Sequence, residues 1–411
     1  MIEIADKQIP KILILGGGYG GLECALKLQK SLPLGKAEIV MVNKHDYHYQ
    51  TTLLHKVAIG TLSERKARIF YRKILNPHHI TFIKDKVLTI DPEKKQVKCC
   101  RHCLSYDYLV VGLGFKPETF GVVGVEEHAY KLSSLNAALE LAKDIEDKFK
   151  DYEITLDKNN LKFIICGTGL TSIEFAAELA TQFKDLCTIC GIDRSLPQVT
   201  CIGRSSHILP MFSEKTIKRA MEKLDALGVN VINDAEIIAC DEKGVLVRHK
   251  QSGFEEHISA NSVIWGAGVS GSQIVQQSVF PNKNGRVLLD EYLRVPGYSD
   301  VFMVGDCGVA SGPSGSIPPS AQLSSQMGAY VAGYLKNIVM GNANNKGFKF
   351  INRGTVCSLG HTDGVAQVYN RSLKGEVAAF IKNTIENRWL FNIGGIKMVF
   401  KKGQFRHRTS N

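Results

Sequence analysis

The sequence predicts an α/β fold with two Rossmann-like dinucleotide-binding domains, and three observations carry that expectation. The stretch from Lys11 to Leu28 reads as an apolar strand (Ile12 to Leu15), a glycine turn (Gly16-Gly17-Gly18-Tyr19-Gly20-Gly21) and an amphipathic helix that turns Leu22, Ala25, Leu26 and Leu28 inward. The same order returns from Gly16 to Gly167, 151 residues on, where Phe163 to Cys166 leads into Gly167-Thr168-Gly169-Leu170-Thr171-Ser172 and a helix from Ile173 to Ala180. Finally, Val301 to Val304 is an apolar strand that stops on Gly305-Asp306 before a Gly/Ser/Pro loop and a helix near Ala321.

Each glycine has a physical task. Gly16 permits the tight turn, Gly18 lets a pyrophosphate approach the backbone, and Gly21 lets helix and strand touch, while the helix N-terminus offers unpaired N–H groups to the anion. Gly167 and Gly169 repeat this in the second unit. Two such units suggest two dinucleotides, the arrangement of a flavoprotein that passes electrons from a nicotinamide to FAD.

The elements follow in order. A second strand, Ala37 to Val42, ends at Asn43-Lys44, where the residue some 20 positions past the glycines meets the adenosine ribose. Residues 45–67 read as a polar, aromatic loop, and Val87 starts a strand whose backbone can face adenine. A hairpin surrounds Cys99 to Cys103, and Tyr108 to Val111 enters the turn Gly112-Leu113-Gly114. Ser133 to Lys150 reads as an amphipathic helix and Asp151 to Asn160 as a polar connector. The domains are therefore expected at 1–132 (FAD-binding, first part), 133–160 (helix and connector), 161–268 (NAD(P)H-binding, closing at Gly268), 269–350 (FAD-binding, second part) and 351–411 (a C-terminal amphipathic segment).

Composition narrows the class. The chain has 411 residues, 44% apolar and 22% charged, with no run of eighteen apolar residues, so no helix is expected to span a bilayer and no proton pumping is expected. The start MIEIADKQIPK lacks a basic stretch followed by a long apolar one, and is expected not to be a secretory signal. Eleven scattered cysteines read as reduced thiols of a cytosolic protein. The pairs Cys100/Cys103 and Cys187/Cys190 have CxxC spacing, but neither zinc nor a redox disulfide is expected of them and no metal site is assigned.

The net charge is +11, and residues 371–411 hold nine Lys/Arg against two Glu. No nucleic-acid module accompanies them. Val377, Ala378, Ile381, Ile385 and Trp389 are expected to share an apolar helical face, Gly394-Gly395 to interrupt it, and Ile396, Val399, Phe400 and Phe405 to interleave with Lys397, Lys401, Lys402, Arg406 and Arg408. That mixture suits an anionic lipid surface.

The motifs GGGYGGLE, NKHDYHY, YDYLVVGLGF, GTGLTSIEF, LPMFSE, WGAGVSGS, VFMVGDC, SAQLSSQ, RGTVCSLG and FNIGGIKMVFKKG together resemble the type II NADH dehydrogenases, single-subunit membrane-attached NAD(P)H:quinone oxidoreductases, over nearly the whole chain. The resemblance implies FAD held by Gly16, Gly17, Gly18, Tyr19, Gly20, Gly21, Asn43, Lys44, Val87, Gly112, Asp306 (on the ribitol), Ala321, Gln322 and Lys382 (near the flavin ring). It implies that Glu174 steers protons to the quinone, with Glu178 on the same helix face, and that Gln322 and Gln326 of an AQxAxQ-like motif bind the quinone, menaquinone or ubiquinone. Here Ser324 replaces the motif's alanine and Met327 a further glutamine.

The nicotinamide site, with Gly167, Gly169, Arg204, Ser205, Ser206 and Gly268, departs from the family. Its second strand ends Cys201-Ile202-Gly203-Arg204-Ser205-Ser206 where an acid is usual, so NADPH is expected to serve at least as well as NADH. A homodimer on the cytoplasmic face of the cell membrane, bound peripherally, completes the expectation. The alternatives are a flavin disulfide or ferredoxin reductase, which needs reactive Cys187 and Cys190, and a flavin-binding redox sensor without quinone turnover.

Overall fold

The computed structural model describes residues 9–313, 315–342, 346–369 and 371–405. Most of the N-terminal stretch read for a signal, and the cations Arg406 and Arg408, lie outside these residues. The chain divides into two units, Met1–Tyr49 with Arg68–Lys116 and Val269–Ile351, and Gln50–Ala67 with Pro117–Gly268 and Asn352–Asn411.

The first unit is built on a five-stranded parallel sheet ordered Val301–Met303, Tyr108–Val111, Lys11–Leu15, Glu38–Asn43, Ile80–Lys84. Its central strand is buried along Ile12 to Leu15, the continuous apolar run that a sheet covered on both faces requires. The loop helix Tyr19–Ser31 packs on the helix Ala321–Val339. There Gly328 stands so close that a Cβ would lie 2.1 Å from the Gly20 carbonyl oxygen, and only glycine lets the two backbones meet. Leu26, expected inward, is only half-buried. The expected hairpin forms as Gln96–Cys99 paired with Cys103–Ser105, and Val87–Asp91 completes its sheet.

The second unit repeats the design in the order Ala129–Lys131, Ser262–Trp265, Lys162–Cys166, Gln198–Ile202, Val229–Ile232, all parallel. An antiparallel sheet of Ala235–Asp241, Gly244–His249 and Glu255–Ser259 shares a core with it through Ile164, Val245, Val247 and Trp265.

Several boundaries differ from the sequence reading, each for a local reason. Residues 45–67 are not a plain loop: they hold a strand pair residue set (Tyr47–His48), a 3-10 turn (Thr51–Leu53) and helices Leu54–Ala58 and Glu64–Ala67, because Leu53, Leu54, Val57 and Ala58 recur at helical spacing and are buried. The helix expected at 133–150 runs Leu135–Thr155, capped by Ser134, whose oxygen accepts from the Ala137 N–H, and stopped by Leu156 at φ 55°. The helix after the second glycine loop reaches Cys190, ten residues past the expected Ala180, and ends on Gly191 at φ 64°. By contacts the chain passes between units at 116/117 and 351/352, where the sequence suggested 132/133 and 350/351, and residues 352–411 join the second unit.

The C-terminal segment shows the largest difference. Strands Thr355–Ser358, Gly364–Val368 and Arg371–Lys374 form an antiparallel sheet against the helix Glu376–Lys402, which kinks at Gly395 (φ 66°). The expected apolar face does not face one way. Ala378 and Trp389 are buried, whereas Val377 and Ile385 are exposed together with Phe380, Phe391, Ile396, Phe400 and Phe405. The buried side carries Lys382 and Glu386 among the apolar Ala378, Ala379, Trp389, Leu390, Ile393, Met398 and Val399, so two charged groups sit within an otherwise apolar face.

Candidate functional site

The first glycine loop is held from every side. Gly16 takes φ 92°, and a Cβ there would lie 2.2 Å from the Gly112 carbonyl oxygen; the Gly112 N–H in turn donates to the Leu15 carbonyl at 2.7 Å. The Gly17 N–H donates to Asn43 Oδ1 at 3.0 Å, and its carbonyl accepts from Tyr71 Oη at 2.8 Å and from His48 Nδ1 at 3.0 Å. Burial holds the His48 ring down at about 4, so the ring is neutral and one nitrogen carries a hydrogen. Tyr19 sets the edge of its ring on His48, 5.5 Å between centroids.

Gly18 caps the loop helix with no side-chain bond, and nothing lies within 4 Å of where its Cβ would be. The first-turn N–H groups thus face an open cradle of the kind that receives a diphosphate. Gly21 fits because a Cβ would come 2.0 Å from the Gly16 carbonyl oxygen.

Asp306 sits in the 3-10 turn Gly305–Cys307 that follows strand Val301–Met303. It caps no helix; Ser320 does that for Ala321–Val339 by accepting from the Leu323 N–H. Burial raises the Asp306 carboxyl above its ordinary range, against the pull of Arg286 and of Ser324, whose Oγ lies 3.5 Å from Oδ1. Gly20 packs on Val304 and on the Ser324 carbonyl, so loop, strand end and the helix start bearing Ala321 and the half-buried Gln322 converge.

Other expected partners are used differently. Asn43 pins the loop, accepting from the Gly17 N–H at Oδ1 and donating from Nδ2 to the His45 carbonyl at 2.9 Å. Lys44 is exposed at the strand end. Val87 is buried and pairs with Cys99 just before a bulge. Gln326 donates to the Ile351 carbonyl and accepts from the Ile351 N–H, both at 3.0 Å, so it clamps a backbone edge.

The second loop is held by other contacts, with the Gly167 N–H donating to the Ile202 carbonyl at 2.7 Å and the Thr168 carbonyl accepting from the Leu209 N–H at 3.0 Å. Gly167 takes φ 122°, and Gly169 caps the helix Leu170–Cys190 with no side-chain bond and open space at its Cβ position. Ser172 replaces the third glycine and sends Oγ to the Gly266 carbonyl at 3.3 Å. A Cβ at Gly203 would strike Thr168 Oγ1 at 2.3 Å, so Thr168 fills the space beside this glycine.

Beyond Gly203 the exposed Arg204 places Nε 3.5 Å from Glu236 Oε1, and its carbonyl accepts from Lys250 Nζ at 2.7 Å. Ser205 accepts from the Asp234 N–H through its carbonyl, and Ser206 Oγ lies 2.9 Å from His207 Nδ1. Gly268 accepts from the Glu118 N–H and leaves no room for a side chain beside Phe120. Sequence reasoning missed Glu236 and Lys250, which arrive from the inserted antiparallel sheet.

A buried ionic cluster occupies the second unit. Glu174 Oε1 accepts from the Ser358 N–H (2.9 Å), from Ser358 Oγ (3.0 Å) and from Lys382 Nζ (2.9 Å). Burial opposes its charge, but Lys382, with the Ser358 N–H bond beside it, prevails and holds the carboxyl below its ordinary value. Lys382 is buried, not solvated; its desolvation is outweighed, chiefly by Glu174 at 2.9 Å, and its ammonium is held charged. Glu386 and the donors Gln50 and Thr52 complete the group. Next to it Glu178 is buried and accepts from Thr61 Oγ1 at 2.6 Å.

Cys187 is buried with its thiol pushed up by that burial, and Cys190 is half-buried on the same helix. Among the described residues no group of three His, Cys, Asp or Glu side chains converges as a metal site.

The chain matches the pyridine nucleotide-disulphide oxidoreductase family over residues 10–328. It is 38% identical over 399 residues to the type II NADH:quinone oxidoreductase of Staphylococcus saprophyticus, covering 96% of this chain and 98% of that one. It is 37% identical over the same length, with the same coverage, to the type II NADH:quinone oxidoreductase of Staphylococcus aureus strain MSSA476. In fold it is similar to NDH2 of Plasmodium falciparum in complex with NADH, at a TM-score of 0.88 with 19% identity, over 96% of this chain and 98% of that one.

Proposed function

We propose, from the premise that this chain belongs to the type II NADH:quinone oxidoreductase family, that it oxidises NADH or NADPH and reduces a membrane quinone with FAD as its resident group. The observation that carries this reading is the pair of helix N-termini, each uncapped and each open at the capping glycine, Gly18 and Gly169. The residues of the first cradle fit FAD: Gly18 leaves room for the diphosphate and Asp306 ends its strand as an acceptor for ribitol hydroxyls. When bound, FAD accepts a hydride from the nicotinamide and passes the electron pair to the quinone.

The chain's own groups bind, orient and handle protons. Gly169 and the first turn of its helix receive the diphosphate of the nicotinamide cofactor. Arg204, with Ser205, Ser206 and Lys250 beside it, offers cationic and hydroxyl donors that suit a 2′-phosphate, which supports use of NADPH at least as well as NADH. Glu174 and Lys382 form the proton-handling pair. The raised thiols of Cys187 and Cys190 argue against a disulfide-reductase mechanism.

Among the described residues no helix is long and apolar enough to cross a membrane. The exposed Phe380, Phe391, Ile396, Phe400 and Phe405, with Lys397 and Lys401 on the same helix, support peripheral attachment to a membrane surface. Each large apolar side chain taken up by lipid contributes about 1.5–3 kcal/mol, and each cation near an anionic surface about 1 kcal/mol.

Anaerobic mixing of the purified protein with NADPH and, separately, NADH, followed by a quinone, tests the reading. Flavin absorbance is expected to bleach with both and return on adding the quinone. Bleaching that no quinone reverses would favour a redox sensor.

A further inference from the structure

One carboxylate in the buried cluster has no part in the chemistry assigned so far. Glu386 lies one turn beyond Lys382, with Oε1 3.7 Å from Lys382 Nζ. Its Oε2 accepts from Gln50 Nε2 at 2.7 Å and from Thr52 Oγ1 at 2.9 Å, and Gln50 also donates to the Glu386 carbonyl at 3.2 Å. A buried glutamate given two dedicated side-chain donors is costly to place and is not there for packing.

The charges around it do not balance if both acids are ionised. Lys382 is one cation and stands closer to Glu174, at 2.9 Å, than to Glu386. On the helix Leu54–Ala58, His55 is held down at about 4 by burial and is neutral, while Lys56 is half-buried and acts on Glu386 from a distance. On the strand Thr355–Ser358 the Cys357 thiol is pushed up by burial and stays protonated. Arg65 and Lys66 of the neighbouring short helix, and Arg371 and Lys374 of the last strand, are exposed, and Glu64 beside them is half-buried. Burial first, and then Glu174, raise the Glu386 carboxyl; Lys382, Thr52 and Lys56 pull against them.

We propose that Glu386 stores a proton on Oε1 in the resting protein and gives it up when quinone is reduced: the Lys382 ammonium passes a proton to the Glu174 carboxylate, which delivers it, and Lys382 takes the Glu386 proton in exchange, leaving Glu386 as the carboxylate. The proposal rests on the quinone-reductase reading above. The hydride of the nicotinamide brings two electrons and one of the two protons the quinone needs; Glu386 supplies the other and is reprotonated from solvent. Oε1 is the site because Oε2 already accepts two hydrogen bonds. A cavity of about 10 Å³, room for a single water, is lined by Gln50, Leu53, Leu62, Lys66, Ala67 and Lys402, and so reaches the glutamine that holds Glu386. Glu386 is thus a positioning and proton-storing residue that acts through Lys382.

Infrared spectroscopy of the flavin-loaded, resting protein tests this without turnover. The wild type is expected to show the carbonyl band of a protonated, buried carboxylic acid, and Glu386→Gln to lose it while keeping an oxygen for Gln50 and Thr52. Thr52→Val is expected to shift the band, because one donor to that carboxyl is gone. In quinone-dependent turnover the wild type is expected to slow as pH rises through the Glu386 titration. Glu386→Gln is expected to lose that alkaline limb and run about tenfold slower, less than the effect of removing a direct acid, and Glu386→Asp to regain the limb.

A wild type without the band, a band that survives in Glu386→Gln or is unmoved in Thr52→Val, or an unchanged pH profile would overturn the proposal. Wild-type protein that shows the band but reduces no quinone would instead overturn the functional reading.

Discussion

The two glycine loops share a motif and differ in which groups hold them: side chains in the first, and mostly backbone in the second. In the first, the Gly17 peptide is fastened at both ends, by Asn43 on its N–H and by Tyr71 and His48 on its carbonyl, and Gly21 leaves no room for a β-carbon. In the second, Ser172 is accommodated in place of the third glycine, and the rim at Arg204 is exposed, with the guanidinium turned toward Glu236. A cradle locked before its ligand arrives suits a group that stays, because the ordering cost is met in folding and not in binding. An exposed rim with movable side chains suits a cofactor that must come and go.

Exchanging the residues that distinguish the loops should break this contrast most sharply. Gly21→Ser forces a β-carbon to within 2.0 Å of the Gly16 carbonyl oxygen and is expected to cost about 3 kcal/mol or more, yielding colourless protein by absorbance and a lowered melting temperature. Retained flavin and an unchanged melt would show that the first loop accommodates a β-carbon as the second does.

Acid is expected to weaken both units. His48 in the first and His55 in the second are held by burial at about 4, whereas an unfolded imidazole titrates near 6.5. Their contribution is complete above about pH 6.5, is lost as pH falls toward 4, and amounts to about 3 kcal/mol each, because the unfolded chain takes up the protons first. Urea unfolding followed across that range checks it; stability that rises on acidification would contradict it.

At the open rim, Arg204→Ala is expected to raise KM for NADPH about tenfold, the worth of one charge-assisted hydrogen bond, and to change KM for NADH less than about twofold. Equal losses for both cofactors would remove the role given to Arg204. The smallest effect is expected from Ser172→Gly, which gives the second loop the residue of the first and forfeits the bond to the Gly266 carbonyl, about 1 kcal/mol of stability by thermal melting.

Legibility in the sequence followed the range of the physics. The loops were readable because a positive φ at Gly16 and Gly167, and the contact at Gly21, are demands on single residues next to each other in the chain. Asp306 was readable because its strand is a short apolar run that visibly stops. Glu386 was not, since Gln50 and Thr52, the residues that give it meaning, lie 336 and 334 positions away. Glu236 and Lys250 were hidden for the same reason. The C-terminal helix misled because apolar periodicity assumes that apolar residues point inward, whereas here Lys382 and Glu386 are buried with Glu174 and the phenylalanines remain outside. The bonds of Gln326 to the Ile351 backbone were not legible either, because spacing places a side chain on a helix face without naming the distant backbone it meets.

The division of labour between the cradles is tested most directly by passing the purified protein through gel filtration, denaturing it and quantifying the released nucleotides. One FAD per chain with no nicotinamide is the expected result. Absence of flavin, or nicotinamide retained as firmly as flavin, would contradict the account.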